Sequence, residues 1–153
     1  RLHMTALGRG YLMNSPDSVR FIVIHCSATR SDRDYTAEQL QRDHKARGFR
    51  KGGYHFYIRK SGEVTRFRQL LEKGAHARGY NACSIGICYE GGLNENGIPA
   101  DTRTPLQKQV IRDLVMQLHK LFPHAMVVGH RDLPGVHKAC PCYNVTVEFP
   151  VWR

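Results

Sequence analysis

The stretch VVGHRDLPGVHKACPC (residues 127–142) places His130, His137, Lys138, Cys140 and Cys142 within sixteen positions. Imidazole nitrogen and thiolate sulfur are the donors that zinc takes in tetrahedral sites. A catalytic zinc site uses three protein ligands and leaves a fourth position open. His130 ends the apolar run AMVVGH, and a second histidine, His25, sits at the end of another, RFIVIHC. His25, His130 and Cys140 thus form a candidate His–His–Cys set. The same residues also read as two hydrogen-bonded core histidines with a cysteine packed as a small apolar side chain, or as a cysteine-rich staple. No short-range metal motif such as CxxC or HExxH decides between these readings.

The elements that must position these residues follow from the pattern along the chain. Residues 20–28 and 84–91 are apolar on both faces, as buried central strands are, and AMVVGH repeats the pattern. YTAEQLQRDHKARG (35–48) predicts a helix capped by Thr36, with Gln39 three residues on, and ended by Gly48. A second helix runs from Pro105 to Phe122 behind a Thr104 cap, and Leu106, Val110, Leu114, Leu118 and Leu121 give it an apolar stripe. Residues 53–68 read as a β-hairpin around the turn KSGE, and 71–84 as a loop with a short helical turn. There is no repeat, linker or low-complexity segment. The expectation is one α/β domain over 20–153, preceded by an arm over 1–19 whose RLHM start reads as a cloning remnant. Functional groups in α/β sheets gather at the C-terminal ends of strands, where both histidines fall.

Composition narrows the class. The 153 residues, 41% hydrophobic, suit a single core, and no apolar run approaches the ~20 residues of a membrane span. FIVIHC is too short and too far along the chain for a secretory signal, so either the chain is not exported by that route or its signal has been removed ahead of this sequence. The net charge of +10 suits a polyanionic partner such as nucleic acid, anionic lipid or a cell wall. No nucleic-acid motif organises the cations, so nucleic acid is not the expected partner. The cysteine count of five is odd, so the thiols cannot all pair within the chain. Cys140 and Cys142 are too close in sequence for an easy mutual disulfide, and mostly reduced thiols are expected.

Four ordered segments, FIVIHCSAT, GYHFYIRKSGEV, GAHARGYNACSIGIC and GHRDL…HKACP, closely resemble the zinc-dependent N-acetylmuramoyl-L-alanine amidases of the phage lysozyme type. They are also similar to animal peptidoglycan recognition proteins. The resemblance runs from about Arg20 to Tyr143. It implies a mixed central β-sheet flanked by helices, with His25, His130 and Cys140 as zinc ligands and Tyr54 and Lys138 as catalytic residues. His76 and Asn81 would line the substrate groove. The implied reaction is hydrolysis of the amide between N-acetylmuramic acid and L-alanine, at the bacterial cell wall, by a monomer with peptidoglycan as its partner. Recognition proteins that only bind peptidoglycan typically lack the cysteine that stands here as Cys140, which sets a catalytic reading above a binding module. The similar phage enzymes also bind an RNA polymerase through an N-terminal segment, and residues 1–19 show no match to support that role. His44, His55, His119 and His124 read as structural or surface residues.

Overall fold

The computed structural model describes residues 9–150; the first part of the expected arm, 1–8, lies outside them. The central sheet has five strands: β1 (Phe21–Cys26), β3 (Phe56–Ile58), β4 (Val64–Arg66), β5 (Ser84–Tyr89) and β7 (Met126–Gly129), in the order β4-β3-β5-β1-β7. β1 runs parallel to both β5 and β7, and β3 is parallel to β5. β4 closes the edge as the antiparallel arm of the expected hairpin. The sheet is therefore mixed. Two short strands outside it, β2 (Thr29–Arg30) and β6 (Gly92–Leu93), pair with each other. No described helix is long and apolar enough to cross a membrane.

Alternation along the strands sorts their side chains onto two faces. Ile22, Ile24 and Cys26 of β1 join Ile85, Ile87 and Tyr89 of β5 in the main core. Helix α2 (Pro105–Leu121) covers that face. On the other face lie Val23 and Val128, with Ala77 and Leu133 over them, while Leu40 of helix α1 (Ala37–Ala46) packs on Tyr57 and Cys88. Both predicted caps form: Thr36 Oγ1 accepts from Gln39 N at 3.1 Å, and Thr104 with Gln107 makes a capping box. Helix α3 (Val145–Glu148) is a single turn.

Of the stripe read from sequence, Leu118 is buried in the core and Val110 and Leu114 pack against it, but its two ends do not. Leu106 and Leu121 are 58% and 56% exposed, whereas Gln107, Ile111, Val115 and Leu118 are buried. Steps of four, four and three residues make that inner arc. The buried Gln107 is tolerated because its amide donates to the carbonyls of Ile58 (3.2 Å) and Glu90 (2.9 Å). Ile111→Ala should therefore cost about 3 kcal/mol, and Leu106→Ala less than about 0.5 kcal/mol, by urea denaturation. Equal losses would contradict this face.

His55 is structural, as expected. Its Nε2–H donates to the Glu72 carbonyl at 2.6 Å, and its Nδ1 accepts from Gly86 N at 3.0 Å. A second ring proton would have to face the Gly86 N–H. Burial, which disfavours the cation most, and nearby Arg68 lower its pKa to about 4. The unfolded chain takes up that proton from pH 6.5 downward, so stability falls between pH 6.5 and about 4. The expected loss from this group is about 3 kcal/mol. Denaturation midpoints that stay flat from pH 7 to 4 would contradict it.

Candidate metal centre and substrate groove

His25 is the fifth residue of β1 and points to the face away from α2, where it is 1% exposed. His130 begins the turn directly after β7, which lies beside β1. Cys140 comes from the following loop, tied to the same turn by Arg131 N donating to Cys140 O at 2.9 Å. The ligand atoms of His25, His130 and Cys140 all lie within 4.8 Å of one another. Cys140 Sγ is 4.0 Å from His25 Nδ1, close to the roughly 3.5 Å that tetrahedral zinc geometry would set between a nitrogen and a sulfur ligand. Cys140 Sγ also accepts from the backbone N–H of Cys26 at 3.3 Å. β1 thus supplies a candidate ligand at one residue and a donor to another candidate at the next. The donor set and its spacing fit zinc.

Both imidazoles are held neutral, the form that ligates. Burial lowers the pKa of His25 well below its usual value, with His76, His130 and Lys138 adding to the effect. Burial lowers His130 as well, and Lys138 lowers it further. Tyr54 packs its ring 5.0 Å from that of His25. Burial raises its pKa well above the usual phenol value, and the thiols of Cys88 and Cys140 raise it further. In the metal-free chain the hydroxyl therefore keeps its proton at neutral pH.

These groups open on a groove of about 760 Å³. His25, Tyr54, His76, Asn81, His130 and Lys138 all line it. Arg47 and Arg78 add positive charge, and among the described residues no Asp or Glu lines the groove. Asn81 is committed to the loop, since its Oδ1 accepts from the backbone N–H groups of His76 (2.9 Å) and Ala77 (3.0 Å). Cys26 turns its side chain to the α2 face, as alternation predicts, where its Sγ lies 3.8 Å from Cys142 Sγ. All five cysteines are free thiols.

Sequence reasoning missed His44 in this wall. Its Nδ1 accepts from Gly53 N at 2.8 Å, which puts the proton of the neutral ring on Nε2. The ring lies 5.5 Å from that of Tyr54. Its place four residues after Leu40, on the inner side of α1, was the available signal.

A mixed-sheet α/β domain with a His–His–Cys cluster open to a groove has the layout of a metallohydrolase. Residues 15–143 match the N-acetylmuramoyl-L-alanine amidase family. The endolysin of Klebsiella phage KP32 is 36% identical over 124 residues, covering 81% of each chain. That of Escherichia phage T7 is 34% identical over 129 residues, covering 84% of each. Among solved structures, N-acetylmuramoyl-L-alanine amidase LysC from Clostridium intestinale superposes with a TM-score of 0.72 at 30% identity, covering 94% of this chain and 91% of that one. The chain belongs to the N-acetylmuramoyl-L-alanine amidase family, enzymes that hydrolyse the amide between N-acetylmuramic acid and L-alanine in peptidoglycan.

Proposed function

We propose that residues 20–153 carry out this hydrolysis on the bacterial cell wall with a zinc ion held by His25, His130 and Cys140. The observation that carries this reading is the meeting of three donor atoms within 4.8 Å at the floor of a cation-lined groove. Zinc in such a site supplies Lewis acidity, activating water for attack and polarising the scissile carbonyl.

The remaining work falls to the chain's own side chains. Lys138 is close enough to both histidines to bias them toward the neutral form. It supplies a fixed positive charge for the oxyanion that develops on the substrate carbonyl. Tyr54, which retains its proton, is a hydrogen-bond donor to that oxygen rather than a base. Arg47, stacked 4.8 Å over Phe49, and Arg78 face the carboxylates of the stem peptide across the groove. His76 and Asn81 shape the wall beside the metal position.

The test is the bond that is cut. Purified peptidoglycan incubated with the protein should release peptides with new L-alanine amino termini and no new reducing sugar ends. New reducing ends without amino termini would mean a glycosidase. Binding to the wall with neither product would mean a recognition module.

A further inference from the structure

His76 and Ser84 lie outside the three-ligand set, yet they form a chain of hydrogen bonds that ends on it. Ser84 Oγ is 2.7 Å from the carbonyl oxygen of Tyr80 and 3.1 Å from His76 Nε2. A carbonyl only accepts, so the single hydroxyl proton of Ser84 goes to Tyr80. At its longer contact Ser84 Oγ is therefore the acceptor, and His76 Nε2 carries the proton. The neutral ring then has a bare Nδ1. That atom lies 2.8 Å from His25 Nε2, so His25 Nε2–H is the donor. With its proton on Nε2, His25 presents a bare Nδ1, the atom 4.0 Å from Cys140 Sγ.

The fold reserves space for this chain. Ser84 and Gly86 alternate onto the same face of β5 as the site. A Cβ on Gly86 would lie 2.7 Å from His76 Cγ, and one on Gly74 would lie 2.5 Å from His76 Cδ2. The ring occupies a slot that two glycines leave open. Asn81 Oδ1 holds the backbone of His76 in place from the loop side. Ser84 is fully buried. Each hydrogen bond of the chain thus has one donor, and with both buried rings neutral the geometry admits one assignment of protons.

We propose that His76, oriented by Ser84, is a positioning residue that fixes the tautomer and ring orientation of His25, so that Nδ1 rather than Nε2 faces the metal. The proposal rests on the zinc reading for its purpose, but the proton assignment stands on the hydrogen-bond geometry of two buried, neutral rings. Partners of this kind that hold a ligating histidine typically govern metal affinity by about 10- to 100-fold.

Nitrogen-resolved NMR of the histidine rings in the zinc-free full chain tests the assignment directly. His25 and His76 should each appear as the Nε2–H tautomer. A proton on Nδ1 of His25 would overturn the proposal without touching the zinc reading. Zinc affinity, by competition with a chromophoric chelator, tests the purpose. His76→Leu should lose about 10- to 100-fold. His76→Gln, which keeps a side-chain acceptor, should recover part of the loss, and Ser84→Ala should lose less than His76→Leu. Correct tautomers with unchanged zinc affinity in His76→Leu would also overturn it. Failure of the wild-type chain to bind zinc would instead remove the functional reading and leave His76 no metal to position. Should His76→Leu fail to fold, the wild-type spectrum and Ser84→Ala still decide.

Discussion

Cys140→Ser should lower wall hydrolysis by more than about 1,000-fold, beyond the roughly 10- to 100-fold that loss of an outer-shell partner costs. Zinc content should fall with it. The oxygen is a poorer ligand than the thiolate, because a serine hydroxyl stays protonated where a cysteine near zinc does not. Cys140 is also the cleanest of the three ligands to test. His25 lies buried in the sheet and hydrogen-bonds His76, so its removal perturbs packing as well as ligation. Cys140 sits on a loop at intermediate exposure. Serine keeps the volume nearly unchanged and leaves an acceptor for the Cys26 N–H. An unchanged thermal melt in the zinc-free state, together with lost activity, would assign the effect to the site. Activity within tenfold of wild type would remove Cys140 from the ligand set.

Tyr54→Phe should lower kcat by about 100- to 1,000-fold, the usual loss when one donor to a developing oxyanion is deleted. KM should change little, because the interaction strengthens only as charge develops. Zinc content should stay at the wild-type value, since phenylalanine keeps the ring that packs against His25. The two substitutions therefore separate by their metal content. Loss of zinc in Tyr54→Phe would mean that the hydroxyl builds the site rather than acting in it. Full activity would mean that Tyr54 is only a packing residue beside His25.

Much of the architecture was legible because local signals carried it. Thr36 and Thr104 announce helix starts through side-chain oxygens three residues from backbone donors, and both caps form. The KSGE turn fixes the β3–β4 hairpin. The near-continuous apolar runs of β1, β5 and β7 are those of strands covered on both faces. Three candidate ligands stood at the ends of such runs or in the loop after one. The order of four motifs, rather than any single spacing, pointed to the family.

What local patterns did not carry was contact between distant side chains. His25 and His76 are 51 residues apart, and their hydrogen bond depends on Gly74 and Gly86 leaving room for a ring. Nothing in the spacing of GAHARGYN states that. The inner face of α2 was legible at Val110, Leu114 and Leu118, but its centre is set by Ile111, Val115 and a glutamine that reaches backbone carbonyls of β3 and the segment after β5, while Leu106 and Leu121 face out. His44, read as structural or surface, is buried and accepts from Gly53 N, and only its place in the groove wall was not legible, because that depends on where Tyr54 falls. The two-residue strands β2 and β6 are too short to give any period at all.

Whether His25, His130 and Cys140 form a catalytic zinc centre is decided by titrating zinc back into the chelated chain while following two signals together. One is the release of L-alanine amino termini from purified peptidoglycan. The other is protection of a cysteine thiol against alkylation, mapped by mass spectrometry. Both should rise in parallel and saturate at about one zinc per chain, with Cys140 as the protected thiol. Hydrolysis that persists at full rate after chelation, or zinc uptake that leaves Cys140 as reactive as before, would contradict the assignment.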